Sequence, residues 1–300
     1  MGEKKKVLDT SRLPMEKVSG KYRNYFHRDY IAHMLRWSFA LRYIKRDSKV
    51  LDVGCGDGQL ADILYRNRRK PEIFVGIDIN KNHLKIFRER KLNFSPEIIE
   101  MDIREKAIQY PENYFDVIAC FEVIEHFEKR YVYFTLGEIR RVLKNNGILL
   151  LSTPNYNEKN KAKAHIHEYK EKELEEILIR YFNIEEKFGT FASTFRSDFK
   201  SKLSECEKEM FDRLKRYYDS TVLSIMFAPL HPSESRNILW VLKKRNDRYQ
   251  KIMEYVNNQN QLKNLTEDEK NKVYDFILSL SGSEFNTFYK KYILPNKSFI

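Results

Sequence analysis

The chain has 300 residues and a mass of 36.2 kDa, which suits one large domain or one domain with an appended cap. A hydrophobic fraction of 42% supplies a core, 14% aromatic residues argue against disorder, and 10 glycines and 8 prolines exclude collagen-like and low-complexity classes. The net charge of +12 sits at the two ends: residues 1–50 carry 13 basic and 5 acidic side chains, residues 51–190 carry 23 and 24, and residues 191–300 carry 19 and 14, so a polyanion is attracted to the flanks and not to the middle.

In chain order, the charged stretch at residues 1–6 leads into no apolar region, so no secretory signal is expected. Phe26, Tyr30, Met34, Trp37, Leu41 and Ile44 recur at spacings of three and four and mark an amphipathic helix. Five short apolar runs come next, at residues 50–53, 73–78, 98–102, 115–120 and 147–152, and each reads as a strand. Helical patterns lie between them; one covers residues 133–144, with Phe134, Ile139, Val142 and Leu143 on one face. Two more strands are expected at residues 181–189 and 237–242, separated by a mostly helical insertion at about 191–236. Residues 246–300 read as helices with a break at 257–266.

Near-continuous apolar strands alternating with helices imply an α/β domain, doubly wound around a buried and mostly parallel sheet. The expected division is a basic helical cap at 1–47, the α/β domain with its insertion at 48–245, and a helical extension at 246–300. No apolar run reaches the roughly 18 residues of a membrane span. Cys55, Cys120 and Cys206 are too few and too scattered for a disulfide framework or a zinc cluster, so a reducing, cytoplasmic setting is expected.

The most informative stretch runs from Val50 through Asp52, Val53, Gly54, Cys55, Gly56, Asp57, Gly58 and Gln59 to Leu60. A strand enters a glycine-rich turn and leaves as a helix, and the glycines let a ligand approach the backbone. The spacing is Gly-x-Gly-x-Gly. Gln59 stands where the dinucleotide fingerprint needs its third glycine, so a pyrophosphate cradle is disfavoured. Asp78 ends the second strand, where a carboxylate can accept both hydroxyls of a ribose. Asp102 ends the third strand, where it can meet an adenine amino group. Taken singly, these acids also suit turns and helix caps. Ligands of open α/β sheets bind at the carboxyl ends of strands, and three successive strands here end in such elements.

This series resembles the motifs of the class I S-adenosylmethionine-dependent methyltransferases. The resemblance runs over about residues 48–190 and includes Gly76-Ile77-Asp78-Ile79, Met101-Asp102-Ile103, Phe115-Asp116-Val117-Ile118, Glu122-Val123-Ile124-Glu125-His126 and residues 141–147. It implies a seven-stranded sheet whose last strand is antiparallel, with S-adenosylmethionine as cofactor. The cofactor would lie across Asp52, Gly54, Cys55, Gly56 and Gln59, its ribose on Asp78 and its adenine near Ile79, Asp102 and Ile103. Phe121 and Glu122 would lie beside its methionine part. Cys55 reads as small packing and not as a nucleophile.

The residues after the fourth strand report on the acceptor. The Asp/Asn-Pro-Pro-aromatic run of exocyclic-amine methyltransferases and the Pro-Cys of cytosine C5 enzymes are both missing at residues 119–126, so DNA-base chemistry loses support. Glu122, Glu125 and His126 stand at i, i+3 and i+4, one face of a helix, and such a face acts as a general base or binds a divalent cation. His165 and His167 come after the fifth strand and open on the same edge of the sheet. The arrangement resembles the metal-binding set of the small-RNA 3′-terminal 2′-O-methyltransferases, which would be Glu122, Glu125, His126 and His167 here. It equally resembles metal-free members that act on small molecules and sugars, and no metal centre is the expectation. His126, or else His165 or His167, is the candidate general base, the last two suiting a solvated loop equally, with Glu125 on the helix face or in the cofactor's shell.

Phe191, Phe195, Arg196, Tyr217, Tyr218, His231 and Arg236 of the insertion form its small core or hold a sugar or base by stacking. Lys21, Arg23, Arg28 and Arg36 read as a solvated helix face or as contacts to an anionic substrate. The expected activity is methyl transfer from S-adenosylmethionine to an oxygen of a sugar-containing or other small-molecule acceptor. The alternatives are a nucleic-acid methyltransferase acting at a ribose or a terminus, and an inactive cofactor-binding subunit of a modification complex.

Overall fold

The computed structural model describes residues 28–156, 164–192 and 201–245, together with residues 266 and 269. The expected helices at 246–300, and Lys21, Arg23, Phe195 and Arg196, lie outside the described residues, as do the side chains of Arg28 and Phe191. The chain divides into two compact units, Met1–Leu178 with Phe182–Lys244, and Ile179–Tyr181 with Arg245–Ile300.

The first unit holds one seven-stranded sheet in the order β3-β2-β1-β4-β5-β7-β6. The strands are β1 (Lys49–Val53), β2 (Ile73–Asp78), β3 (Glu97–Glu100), β4 (Phe115–Phe121), β5 (Leu143–Pro154), β6 (Phe182–Ala192) and β7 (Ser235–Lys244). The first five pair in parallel, and β7 is antiparallel to both β5 and β6. β3 is shorter than the apolar run implied: it stops at Glu100, so Asp102 lies in the turn beyond the strand. β6 continues to Ala192, three residues past the expected end. The helices are α1 (Arg28–Ala40), α2 (Gln59–Arg66), α3 (Lys81–Arg88), α4 (Lys129–Val142), α5 (Glu171–Leu178), α6 (Glu205–Leu214) and α7 (Ser220–Phe227). A 3₁₀ turn covers Ile124–His126.

Helix α1 belongs to the core of this unit. Trp37, Ala40 and Ile44 are buried in one cluster with Leu60 and Leu64 of α2, Val50, Phe74, Leu150, Leu239 and Val241. Each fully buried aliphatic or aromatic side chain of this kind contributes about 1.5–3 kcal/mol, which fixes the helix against the strands. The insertion has a small core of its own: Leu203, Leu223, Phe227 and Ala228, with Phe211 and Leu214 packed on it. Its α6 starts at a capping box, in which the Ser204 hydroxyl accepts from the Glu207 amide and the Glu207 carboxylate accepts from the Ser204 amide. Tyr217 and Tyr218 stay outside that core and are exposed. Because β7 is antiparallel, the insertion joins the sheet at the same edge as the carboxyl ends of β1, β2, β4 and β5.

Candidate active site

β1 lies between β2 and β4, so chain order reverses direction at the β1–β4 pair. That pair opens the crevice where ligands of doubly wound sheets bind. The glycine loop leaves β1 there. The Gly54 and Cys55 amides both donate to the Ile77 carbonyl, at 2.8 and 3.0 Å, and tie the loop to the end of β2. Gly54, Gly56 and Gly58 have φ of +71°, +55° and +82°, a left-handed region that side-chain-bearing residues avoid. Gly58 is needed twice, because a Cβ there would lie 2.2 Å from Phe87 Cδ2. At Gly56 a Cβ would meet no atom within 4 Å, so the backbone faces open space.

Asp78 stands across from that space. One carboxylate oxygen accepts from the Gly56 amide at 2.9 Å and the other from the Asn80 amide at 2.7 Å. Asp52 is buried in register with Gly76 and Ala119, and burial, reinforced by the Asp78 charge, holds its carboxyl well above the usual range. Cys55 is also buried, and burial together with Asp52 and Asp78 pushes its thiol up, so it stays a packed thiol.

Other expected cofactor residues are turned to protein partners. The Gln59 amide donates to Asp57 at 3.4 Å, and Asp57 pairs with Arg90 at 3.4 Å inside the domain. The Asp102 carboxylate is held by the Arg104 guanidinium at 2.6–3.1 Å and by the Arg104 amide at 3.0 Å. That guanidinium keeps Asp102 below the ordinary carboxylate range. Beside it Ile103 is buried, while Ile79 exposes an apolar side chain.

Phe121 is buried at the end of β4, and Glu122 comes next with φ +57°. The Glu122 carboxylate accepts from the Ser152 hydroxyl at 2.8 Å and the Asn237 amide at 2.7 Å, and lies 3.5 Å from Arg36 Nη1. Arg36 is 2% exposed, touches His33 through Nη2, and its Nε and Nη1 make no hydrogen bond. It is therefore a buried cation beside the residue that follows β4 and not part of a solvated face. Its signal was a second inward stripe, His33, Arg36 and Ala40, running beside the apolar one at spacings of three and four.

Glu122, Glu125 and His126 do not share a helix face, since the helical turn there is Ile124–His126 and Glu122 precedes it. Glu125 points inward: Oε2 accepts from the Thr153 hydroxyl at 3.2 Å and Oε1 has no partner. Burial, with the nearby Glu122 charge, raises its carboxyl well above the usual range. Its backbone carbonyl accepts from the Ile166 and His167 amides, at 2.9 and 3.1 Å, and fastens the loop after β5 to the end of β4.

That loop brings His165 against His126, edge to face at 5.0 Å between ring centres. His126 Nδ1 donates to the Ala164 carbonyl at 3.0 Å, and burial lowers its basicity, with a further push from His165. Among the described residues Glu125, His126 and His165 bring carboxyl and imidazole atoms within 4.8 Å of one another. His167 is not in that group: its Nε2 pairs with Glu173 of α5 at 3.0 Å and its ring lies against Tyr169. In the insertion, His231 pairs with Glu207 at 2.8 Å, while Arg236 is exposed at the start of β7.

A mostly parallel sheet with its last strand antiparallel, flanked by helices, is a Rossmann-like fold. Residues 51–151 match the family model described as a methyltransferase domain. A ubiquinone biosynthesis O-methyltransferase of Histophilus somni is 31% identical over 127 residues, 38% of this chain and 51% of that protein. A probable S-adenosylmethionine-dependent methyltransferase of Mycobacterium tuberculosis is 32% identical over 108 residues, 35% of each chain. The chain thus spans about half or less of the length of these curated relatives. An S-adenosylmethionine-dependent methyltransferase from Archaeoglobus fulgidus has the same fold at a TM-score of 0.50 and 19% identity, over 77% of this chain and 99% of that one. A chain from the complex of the Haloferax volcanii Trm112 methyltransferase activator with a putative methyltransferase aligns at 0.52 and 13% identity, over 78% and 96%. Residues 51–151 are thus similar to a methyltransferase domain, and the sheet has the fold of an S-adenosylmethionine-dependent methyltransferase. No helix among the described residues is long and apolar enough to cross a membrane.

Proposed function

We propose that this protein transfers the methyl group of S-adenosylmethionine to an oxygen of a small acceptor, a sugar-containing one or another hydroxyl compound. The cofactor supplies an electrophilic methyl on a sulfonium, so the chain has to align the acceptor, exclude water and take its proton. Asp78 would hold the ribose hydroxyls, the backbone at Gly54–Gly58 the amino-acid chain, and Ile79 and Ile103 the adenine faces. Arg36 would pair with the cofactor carboxylate; its buried Nε, which makes no hydrogen bond, and its Nη1, which meets Glu122 only at 3.5 Å, support this. His126 and His165 would supply the proton acceptor.

The observation that carries the reading is that two unlike sets of groups follow the carboxyl ends of strands in one sheet. The glycine loop and Asp78 come from β1 and β2, and the paired imidazoles come after β4 and β5. The oxygen acceptor is supported by relatives at 30–31% identity that bear the name O-methyltransferase.

Two measurements test the proposal. Calorimetry with S-adenosylhomocysteine should show binding, and none at millimolar ligand sinks it. Cofactor with a deuterated methyl is then incubated with a panel of sugar nucleotides, phenols and an RNA oligonucleotide. Mass spectrometry should find the label on a small hydroxyl compound; label on the RNA alone would move the acceptor to nucleic acid.

A further inference from the structure

Glu168, in the loop between β5 and α5, carries a carboxylate with no part in the cofactor contacts or the proton acceptor. Its side chain is 5% exposed, and Oε1 lies 2.6 Å from His165 Nδ1. An ionised carboxylate only accepts, so Nδ1 is the donor. A neutral His165 then has its lone pair on Nε2. The loop cannot easily give up this arrangement. The amides of Ile166 and His167, between the two members of the pair, donate to the Glu125 carbonyl, and the Ala164 carbonyl accepts from His126. His165 is therefore bracketed in the chain by two anchors to the end of β4 and restrained at its ring by a buried acid.

We propose that Glu168 is a positioning residue, which fixes His165 in the Nδ1–H tautomer so that Nε2 is the nitrogen that takes the acceptor proton. The inference rests on the methyl-transfer reading and adds to it a named base and its orienting partner. In the step, the acceptor O–H gives its proton to His165 Nε2. The oxygen forms a bond to the methyl carbon. The carbon–sulfur bond breaks, and its electron pair stays on sulfur in S-adenosylhomocysteine. The imidazolium afterwards loses its proton to solvent. An orienting carboxylate suits this role because it holds the ring and stabilises the positive charge that forms on it.

The test is the tautomer itself. Full-length protein with ¹⁵N-labelled histidine is studied by two-bond ¹⁵N–¹H correlation at about pH 8.5, roughly two units above the ordinary imidazole pKa. The His165 signals are assigned by their loss in His165→Gln. The expected result is a protonated Nδ1 and a bare Nε2 in the wild type, shifting towards Nε2–H in Glu168→Ala. A wild-type His165 found as Nε2–H overturns the inference without need of any variant, and so does an Nδ1–H that persists unchanged in Glu168→Ala. With a small hydroxyl acceptor that takes the deuterated methyl, Glu168→Gln should lower kcat by about 100-fold with little change in the KM of the cofactor; an unchanged kcat overturns it. Failure of the wild type to bind S-adenosylhomocysteine would instead sink the methyl-transfer reading, whatever the tautomer.

Discussion

The Asp78 carboxylate at the end of β2 accepts a hydrogen bond from the Gly56 amide at 2.9 Å, and so spans from the second strand to the loop that leaves the first. Its second oxygen takes the Asn80 amide at 2.7 Å. These two bonds hold the acid between the end of β2 and the glycine loop, the position proposed for the ribose. Asp78→Ala should weaken S-adenosylhomocysteine about 100-fold by calorimetry, the loss of two hydrogen bonds to a charged group at about 1.5 kcal/mol each. An affinity within about threefold of wild type, below 1 kcal/mol, would show that the ribose lies elsewhere.

Gly56 and Gly58 should separate binding from stability. In Gly56→Ala the new methyl meets no protein atom, so only the left-handed backbone resists it, at roughly 1–2 kcal/mol. It fills the space proposed for the cofactor, and binding should fall well beyond what the lost stability explains. In Gly58→Ala the methyl strikes Phe87, and denaturant unfolding should show a loss of more than about 3 kcal/mol. Equal losses of stability for the two variants would contradict this reading of the loop.

Asp52 should make the fold prefer acid. Burial first, and Asp78 second, raise its folded pKa, so the folded chain binds a proton that the unfolded chain gives up. The stabilisation is fully present below the unfolded value, about 3.8, and is lost as pH rises through the raised folded value. Asp52→Asn removes that penalty. Calorimetric scans should give the variant a higher Tm than wild type at about pH 7.5, the two converging near about pH 4. A lower Tm for the variant at neutral pH would refute the assignment.

His126 should act in the opposite direction. Burial depresses its folded pKa, so the folded chain binds fewer protons, and stability is lost as pH falls below the unfolded value of 6.5. His126→Asn should flatten the fall of Tm between about pH 6.5 and 5. A fall as steep as that of wild type would place the acid-sensitive group elsewhere.

The two histidines can be ranked by turnover. His165→Asn should lower methyl transfer by about 100- to 10,000-fold, the usual worth of a general base, with S-adenosylhomocysteine affinity unchanged. His126→Asn should cost clearly less. The reverse order would make His126 the base.

Sequence periodicity alone determined the layered sheet and the loop with its two acids, because alternating buried runs, glycines and strand-end carboxylates are local in the chain; the antiparallel last strand came with the family resemblance. Where each side chain points was decided by tertiary contacts. Asp102 was legible as an acid after the third strand, but only the fold shows it spent on Arg104. The spacing of Glu122, Glu125 and His126 suits a helix, yet the chain makes one 3₁₀ turn there, because the buried Glu125 is drawn to Thr153 and its carbonyl to the loop after β5. The same fastening brings in His165 and leaves His167 with Glu173. Arg36 shows the limit most sharply. On its own helix it is one charge among several, and its burial beside Glu122 depends on strand ends that lie 86 to 201 residues away in the chain. A helical pattern reports which face is apolar; which charge is desolvated, and against what, is set only when the strands assemble.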